Sequence, residues 1–138
     1  MYVGGKNVYI DEVSIEKAME FVTKNIRTDA VPADCYYACT YGDKVIGIIA
    51  EVGRTFSILE VKHFFVLPEF RGTGIGGALL RYFCKEYNNV FLTSVRLDNV
   101  IALNLFMKNG FKVQKYMGSQ YSPCRLYILL KESSRTEE

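Results

Sequence analysis

The sequence has no tryptophan, one histidine and three prolines, and its four cysteines form no Cys-x-x-Cys pair. Metal sites need thiolate, imidazole or carboxylate ligands at short spacings, and these cysteines with His63 provide no such cluster. We therefore expect no bound metal. We also expect reduced cysteines, mostly in the core, as in a cytoplasmic protein. They are Cys35, Cys39, Cys84 and Cys124.

Strong charge of either sign is also lacking, because the formal net charge at pH 7 is only +2. Proteins that bind nucleic acids or acidic membranes electrostatically concentrate positive charge. No apolar run reaches the roughly 20 residues that a membrane-spanning helix needs, and the N-terminus has no basic-then-apolar leader pattern. We expect no nucleic-acid partner, no membrane association and a cytoplasmic location.

The chain is long enough for one folded domain, since it has 138 residues and needs no disulfide staples at that size. We expect a single domain over residues 1–138, with its core at about 6–131 and a polar tail at 132–138. The ten tyrosines are a high count, and we expect some of them to line a pocket or an interface.

Apolar periodicity predicts ten elements in the order β-α-β-β-β-α-β-α-β-β. Ser14, Asp98 and Asn99 are candidate helix N-caps, and Gly110 is a candidate helix stop. The order predicts an α+β fold that is antiparallel at first and has one parallel strand pair later. The predicted strands span about 6–13, 35–41, 44–52, 56–67, 90–97, 111–117 and 125–131, and the helices about 14–27, 74–87 and 99–109.

The most informative stretch is Leu-Pro-Glu-Phe-Arg-Gly-Thr-Gly-Ile-Gly-Gly at 67–77, between the fourth predicted strand and a helix. Glycines there allow a ligand to approach free backbone N–H groups at the positive end of the helix dipole, which favours a phosphate. No Lys-Ser/Thr follows, so it is not a Walker A loop. The glycine spacing and mid-chain position also do not fit a dinucleotide-binding fingerprint.

A second stretch follows the next predicted strand: Asn99-x-x-Ala-x-x-Leu-Phe106-x-x-x-Gly-Phe, ending at residue 111. Together with Arg71-x-x-Gly74-x-Gly76 and the preceding Val-x-Pro, it resembles the GNAT superfamily of N-acetyltransferases over about residues 6–131. The resemblance implies a central mixed, largely antiparallel sheet flanked by helices. It also implies a V-shaped splay between the fourth and fifth predicted strands.

The resemblance further implies that acetyl-CoA is the cosubstrate. Its pyrophosphate would bind the glycine stretch, its pantetheine arm would pair with the end of the fourth predicted strand, and the start and middle of the last helix would contact it. A backbone N–H of that strand would polarise the thioester carbonyl. The implied cofactor-binding residues are Phe64, Phe65, Val66, Arg71, Gly72, Thr73, Gly74, Ile75, Gly76, Gly77, Asn99 and Phe106.

Direct attack by an amine needs a base that takes a proton from the ammonium group. Glu60 is the first candidate, because strict strand alternation places it on the same face as Phe64 and Val66. His63 is a second candidate, since an imidazole titrates near neutrality. For both, a structural role is the alternative.

Two positions depart from the family pattern. Phe106 stands where many relatives have a tyrosine that protonates the leaving thiolate, and Ser94 stands where some have a glutamate base. Tyr121 and Tyr116 are candidates for the missing acid, and a place in the wall of the substrate pocket is the alternative for both.

The leading interpretation is an enzyme that transfers the acetyl group of acetyl-CoA to a primary amine of a small molecule, peptide or protein. An alternative is a CoA-binding module of the same fold with little catalytic activity, and another is acetylation of a macromolecule through an exposed groove. The partners expected are acetyl-CoA and the amine, with a homodimer as a further possibility. No motif identifies the acceptor.

Overall fold

The structure, a computed structural model, describes residues 2–3, 6–55, 57–119 and 122–132. Its strands are β1 (Tyr2–Val3), β2 (Lys6–Asn7), β3 (Tyr9–Val13), β4 (Cys35–Tyr41), β5 (Lys44–Thr55), β6 (Ile58–Val66), β7 (Val90–Arg96), β8 (Lys112–Ser119) and β9 (Ser122–Lys131). Its helices are α1 (Ile15–Asn25), a 3-10 turn at Pro68–Phe70, α2 (Ile75–Glu86) and α3 (Val100–Lys108).

Seven strands form one mixed sheet in the order β3-β4-β5-β6-β7-β9-β8, and β1 pairs with β2 separately. Every neighbouring pair in the large sheet is antiparallel except β6–β7, which is parallel. The parallel pair follows from the α2 crossover, which returns the chain to the same end of the sheet. The predicted α+β class is confirmed.

The helix ends follow the predicted capping residues. The Ser14 hydroxyl accepts from the Lys17 N–H at 3.2 Å and starts α1, while the Asn99 carboxamide accepts from the Ala102 N–H at 3.2 Å and starts α3. Gly110 ends α3 with a φ of +94°, a conformation that glycine takes without steric cost.

The helices cover opposite faces of the sheet. On one face, Phe65 of β6 meets Phe21 of α1 with ring centroids 6.0 Å apart, and this is the α1 face. On the other, the α2 face, Phe83 of α2 lies 6.1 Å from Tyr37 of β4 and 5.5 Å from Phe91 of β7. Phe83 therefore packs against both halves of the sheet, the half formed by β3–β6 and the half formed by β7–β9.

Strand β6 contains a bulge. Ile48 of β5 pairs with Phe65, but Ala50 pairs with Lys62, so two steps along β5 match three along β6. His63 lies within the extra step and has a φ of +46°. A bulge of this kind kinks a strand and changes the face to which its side chains point.

The bulge corrects one sequence-based expectation. Glu60 and Lys62 form an ion pair on the α1 face. Phe64 and Val66 lie on the α2 face, where a carbon added at Gly76 would be 3.8 Å from each. The expectation that Glu60 shares a face with Phe64 and Val66 was wrong, because strict alternation does not survive the extra residue.

Several boundaries also differ from the predicted ones. The predicted first strand is divided into β2 and β3 at Val8, which is buried. The predicted third strand continues to Thr55. The predicted fourth strand runs from Ile58 to Val66, and a 3-10 turn at Pro68–Phe70 follows it. Proline at the first position of that turn fixes φ and removes a strand N–H donor.

Candidate functional site

A gap opens between β6 and β7. Among the described residues their ladder has three pairs, the last joining Glu60 to Leu92. Beyond it, β6 continues to pair with β5, and β7 pairs with β9 as far as Arg96. The facing edges of β6 and β7 thus carry backbone groups that the sheet does not use, and such an edge can pair with an extended ligand.

The glycine-rich stretch lies at the end of β6 and is open to solvent. Gly72 and Gly74 have φ values of +78° and +91°, and a carbon added at either would meet nothing within 4 Å. Both positions therefore need glycine for the backbone conformation, and both leave room for a ligand to reach the main chain.

Helix α2 begins directly after this loop. The Ala78 N–H donates to the Gly74 carbonyl at 3.0 Å, and it is the first N–H with an acceptor inside the helix. The N–H groups of residues 75–77 come before it and have no acceptor within the helix. The Ile75 side chain is buried, which leaves only its backbone for a ligand. Gly77 is also buried, at the first turn of the helix. The site suits an anion bound by backbone donors.

Two side chains of the loop stabilise its shape. The Thr73 hydroxyl donates to the Phe70 carbonyl. Arg71 donates from Nε to the Val66 carbonyl at 2.9 Å, and its guanidinium lies 4.9 Å from the centre of the Phe65 ring. Arg71 thereby ties the loop to the end of β6 while remaining exposed at the surface.

Phe106 of α3 packs against β6 on the α2 face of the sheet. Its ring centroid lies 5.6 Å from Phe64 and 5.0 Å from Phe111, and only 3% of the residue is exposed. The ring carries no proton that it can donate. It closes the α2 face of the gap as an apolar wall.

Glu60 lies at the vertex of the gap and is 9% exposed. Its two oxygens accept from Arg54 Nε and Nη2 at 2.8 and 3.0 Å, and Lys62 Nζ lies 2.9 Å from Oε2. Both oxygens are thus engaged with cations. Accepting a further proton would break at least one of these contacts.

His63 lies on the same side, where Tyr36 orients it. The Tyr36 hydroxyl is 2.8 Å from His63 Nδ1, accepts from the Ala33 N–H at 2.8 Å and is 3.4 Å from Met19 Sδ. A tyrosine hydroxyl has one proton and two lone pairs. The Tyr36 hydroxyl uses its one proton in the bond to Met19 Sδ, so His63 Nδ1 must carry a proton and donate it to the hydroxyl. The other ring nitrogen, Nε2, is then unprotonated and has a free lone pair.

The surroundings also favour a neutral imidazole. Burial lowers the pKa of His63 below its ordinary value, and the positive charge of Lys62 lowers it further. Burial raises the pKa of Tyr36, against a smaller opposing effect of the Ala33 hydrogen bond. At neutral pH the pair therefore consists of a neutral imidazole and a protonated phenol.

The structure describes two of the three remaining positions. Tyr121 lies outside the described residues. Ser94 is exposed on β7, and Tyr116 of β8 packs edge-on against Tyr127 with ring centroids 6.1 Å apart. The sequence analysis missed Tyr36 and Arg54, which contact the two base candidates. No pattern marks them, because their contacts come from strand register.

The described ranges also bear on the expectations for metal and membrane association. No three His, Cys, Asp or Glu side chains there are grouped so that they could hold a metal ion. The helices of those ranges are also too short or too polar to cross a membrane.

The sequence matches the family described as the acetyltransferase (GNAT) domain over residues 32–113. The match extends from the segment before β4 to the start of β8 and includes the glycine loop, the gap and α3. No curated protein sequence matches the chain.

Solved acetyltransferase structures share the fold. The ribosomal-protein alanine N-acetyltransferase from Escherichia coli is 16% identical with a TM-score of 0.76, and the match covers 96% of this chain and 97% of that one. A GNAT family acetyltransferase from Elizabethkingia anophelis, solved with acetyl-CoA bound, is 17% identical with a TM-score of 0.67 over 91% and 98%. An IAA acetyltransferase from Bacillus cereus is 21% identical with a TM-score of 0.71 over 91% and 99%.

Proposed function

The chain belongs to the GNAT acetyltransferase family, whose sequence model covers more than half of it, and we propose that it transfers the acetyl group of acetyl-CoA to a primary amine. The observation that carries this proposal is the gap between β6 and β7, which opens beside the glycine loop. One end of the gap offers a phosphate site, and its edges offer backbone partners for an extended arm.

The residues present fit acetyl-CoA. The N–H groups of residues 72–77 would hold the pyrophosphate, with Arg71 beside them, and the β6 edge at Phe64, Phe65 and Val66 would pair with the pantetheine arm. Asn99 at the start of α3 and the Phe106 wall would bound the cofactor on the α2 face. When bound, acetyl-CoA supplies an activated thioester carbonyl. A fixed N–H on this edge would stabilise negative charge on its oxygen.

We assign the proton acceptor to His63 rather than to Glu60. The lowered pKa keeps the imidazole neutral near pH 7, and the contacts of Tyr36 direct Nδ1 away and leave Nε2 to accept a proton. Glu60 remains the second candidate, at the vertex, with both oxygens bound by cations.

No acid is required for the leaving group. Phe106 cannot donate a proton, and a thiol has an ordinary pKa of about 8.5, so the departing thiolate is only weakly basic near neutral pH. Tyr121 stays a prediction for this role.

The proposal is tested by binding and turnover together. A ligand that binds only the folded state at 100 times its Kd stabilises it by about 2.7 kcal/mol, so acetyl-CoA should raise the melting temperature by several degrees. A panel of polyamines, amino acids, aminoglycosides and peptides should reveal release of free CoA with at least one acceptor. Absence of any thermal shift at saturating acetyl-CoA would rule out the proposal.

Phe106 favours one second candidate, a CoA-binding module with little activity. Its apolar, buried side chain stands where many relatives carry a proton donor. This alternative predicts the same thermal shift with acetyl-CoA but no CoA release with any acceptor, whereas the enzyme releases CoA.

A further inference from the structure

None of the helices that the structure describes covers one half of the α1 face. Strands β7, β9 and β8 present three cross-strand rows of side chains there. These rows lie on the same face as Glu60, because Glu60 of β6 pairs with Leu92 of β7. The α2 face of the same strands is buried at Phe91, Thr93, Val95 and Leu129. The rows are Leu92–Leu130–Lys112, Ser94–Ile128–Lys115 and Arg96–Leu126–Met117.

The centre of this surface, which we call the open floor, is apolar. Leu126, Ile128 and Leu130 follow one another at two-residue spacing along β9, and each is half-buried. Leu92 continues the apolar surface to the vertex of the gap. The open floor thus begins where the acceptor amine would have to meet the thioester.

The rim of the open floor is basic because of a second bulge. Val113 pairs with Leu129 and Lys115 with Ile128, so β8 carries one extra residue at Gln114. Lys112 and Lys115 are three residues apart and would otherwise point to opposite faces. The bulge places both on the open floor.

These cations have few acidic partners. In the described ranges, neither Lys112 nor Lys115 forms an ion pair, and both are exposed. Arg96 has one, Asp98 at 3.5 Å, with side chains 69% and 75% exposed, and such surface pairs contribute at most about 1 kcal/mol. At the vertex, Glu60 already binds Arg54 and Lys62.

We propose that the acceptor is the amino terminus of an acidic peptide, whose carboxylates bind Lys112, Lys115 and Arg96 while its apolar groups cover the β9 stripe. This proposal rests on the proposed acetyltransferase function and names its acceptor class. Strand and residue spacings place Arg96 and Lys115 roughly 12 Å apart at Cα. One carboxylate would reach both only by folding the two long side chains over the stripe, whereas carboxylates on an extended peptide match the spacing directly.

Three peptides with the same first two residues test this proposal. Their third to fifth residues are acidic, the matching amides, or arginines, and turnover is followed by CoA release. We expect kcat/KM for the acidic peptide to exceed that for the amide peptide about tenfold and to fall with added salt, as expected for exposed charges. Equal turnover of the acidic and amide peptides would overturn the proposal.

The variant K112E/K115E tests the site itself. It should lower kcat/KM for the acidic peptide about tenfold and leave the thermal shift by acetyl-CoA unchanged. K85E/K108E makes the same change in net charge at the last turns of α2 and α3, away from the open floor, and should keep wild-type preference. An unchanged preference in K112E/K115E would show that the lysines do not select the acceptor.

Two measurements separate the remaining outcomes. Binding of a carboxyl-terminally labelled acidic peptide, measured by fluorescence anisotropy with CoA present, reports recognition without turnover, and no binding overturns the proposal. Free glycine and alanine serve as single-carboxylate acceptors, and turnover equal to that of the acidic peptide would overturn the proposal by showing that one carboxylate suffices. Failure of the acetyltransferase function would appear independently, as no thermal shift with acetyl-CoA.

Discussion

His63 has a backbone conformation that few side chains adopt. It is the one described non-glycine residue with positive φ, at +46°, and such a conformation costs on the order of 1–3 kcal/mol. The stacked Tyr36 ring, with centroids 5.8 Å apart, and the Tyr36 hydroxyl hold its side chain. A strained residue beside a candidate reaction centre is consistent with a functional role.

His63→Gln should remove the acid limb of the rate–pH profile. The folded pKa of His63 is lowered below its ordinary 6.5, so wild-type turnover should rise as pH rises through a value below 6.5 and then level off. Glutamine has no such titration, and removing a general base lowers the rate about 100-fold or more. Steady-state kinetics at several pH values with saturating acetyl-CoA measures this.

Glu60→Gln is the matched control, since it removes the carboxylate charge at the vertex of the gap but keeps the size of the side chain. We expect it to lower stability by about 1–2 kcal/mol, because Arg54 and Lys62 lose their buried partner, and to keep the pH limb. The opposite result, with the limb lost in Glu60→Gln and kept in His63→Gln, would assign the base to Glu60.

The same titration affects stability. A lowered folded pKa means that His63 stabilises the fold above its unfolded pKa of about 6.5. This contribution is lost as pH falls, because the unfolded chain then binds the proton more readily. None of this could be read from the sequence, since the burial of His63 depends on a bulge that alternation does not predict.

The loop between β6 and α2 contains two kinds of glycine. Gly72 and Gly74 need positive φ and have open space around them. Gly76 instead packs closely, since an added carbon would lie 3.3 Å from Leu105. The sequence motif predicted all of these glycines as one phosphate cradle. In the structure Gly72 and Gly74 are open, whereas Gly76 is packed against Leu105.

Gly74→Val should abolish the acetyl-CoA thermal shift. Valine is strained at a φ of +91°, at a cost of roughly 1–2 kcal/mol, and its side chain would fill the open space above the loop. Gly42→Val is the matched control, because Gly42 also has positive φ and open surroundings but lies in the β4–β5 turn. The control should lose similar stability and keep the shift; an unchanged shift in Gly74→Val would exclude this loop as the pyrophosphate site.

The helices were predicted well and the strands less well. Capping residues such as Ser14 and Asn99 act locally, so the sequence alone places them. The lengths of β5 and β6 depend on pairing with distant residues, and both strands contain register shifts. The gap between β6 and β7 was expected only from the family resemblance.

We propose that residues 1–138 fold as a single domain, although the ladder between β6 and β7 has only three residue pairs in the part of the chain that the structure describes. Phe83 of α2 contacts Tyr37 in one half of the sheet and Phe91 in the other, so neither half keeps its core without the helix. Thermal unfolding followed by far-UV circular dichroism and by tyrosine fluorescence should give one coincident transition. Two separate midpoints would contradict this.

The glycine loop and the gap beside it could be predicted from the motifs and the family resemblance, and the open floor could not. Both sequence motifs contribute to the gap and its loop, and the family match ends at residue 113. Nearly all of β8 and the whole of β9 lie beyond it, and they form most of the open floor. The basic rim there depends on the extra residue at Gln114, which no motif marks. The homodimer and the cytoplasmic location stay predictions.

The position of β9 has a consequence for how the chain is made. β9 is the last described strand in sequence, yet it lies between β7 and β8 in the sheet. During synthesis β8 therefore emerges before the strand that it pairs with, and β7 has one edge unpaired until then. Closure of this part of the sheet must therefore wait until β9 has left the ribosome. Until that moment, the exposed strand edges are the part of the protein that a chaperone would need to shield.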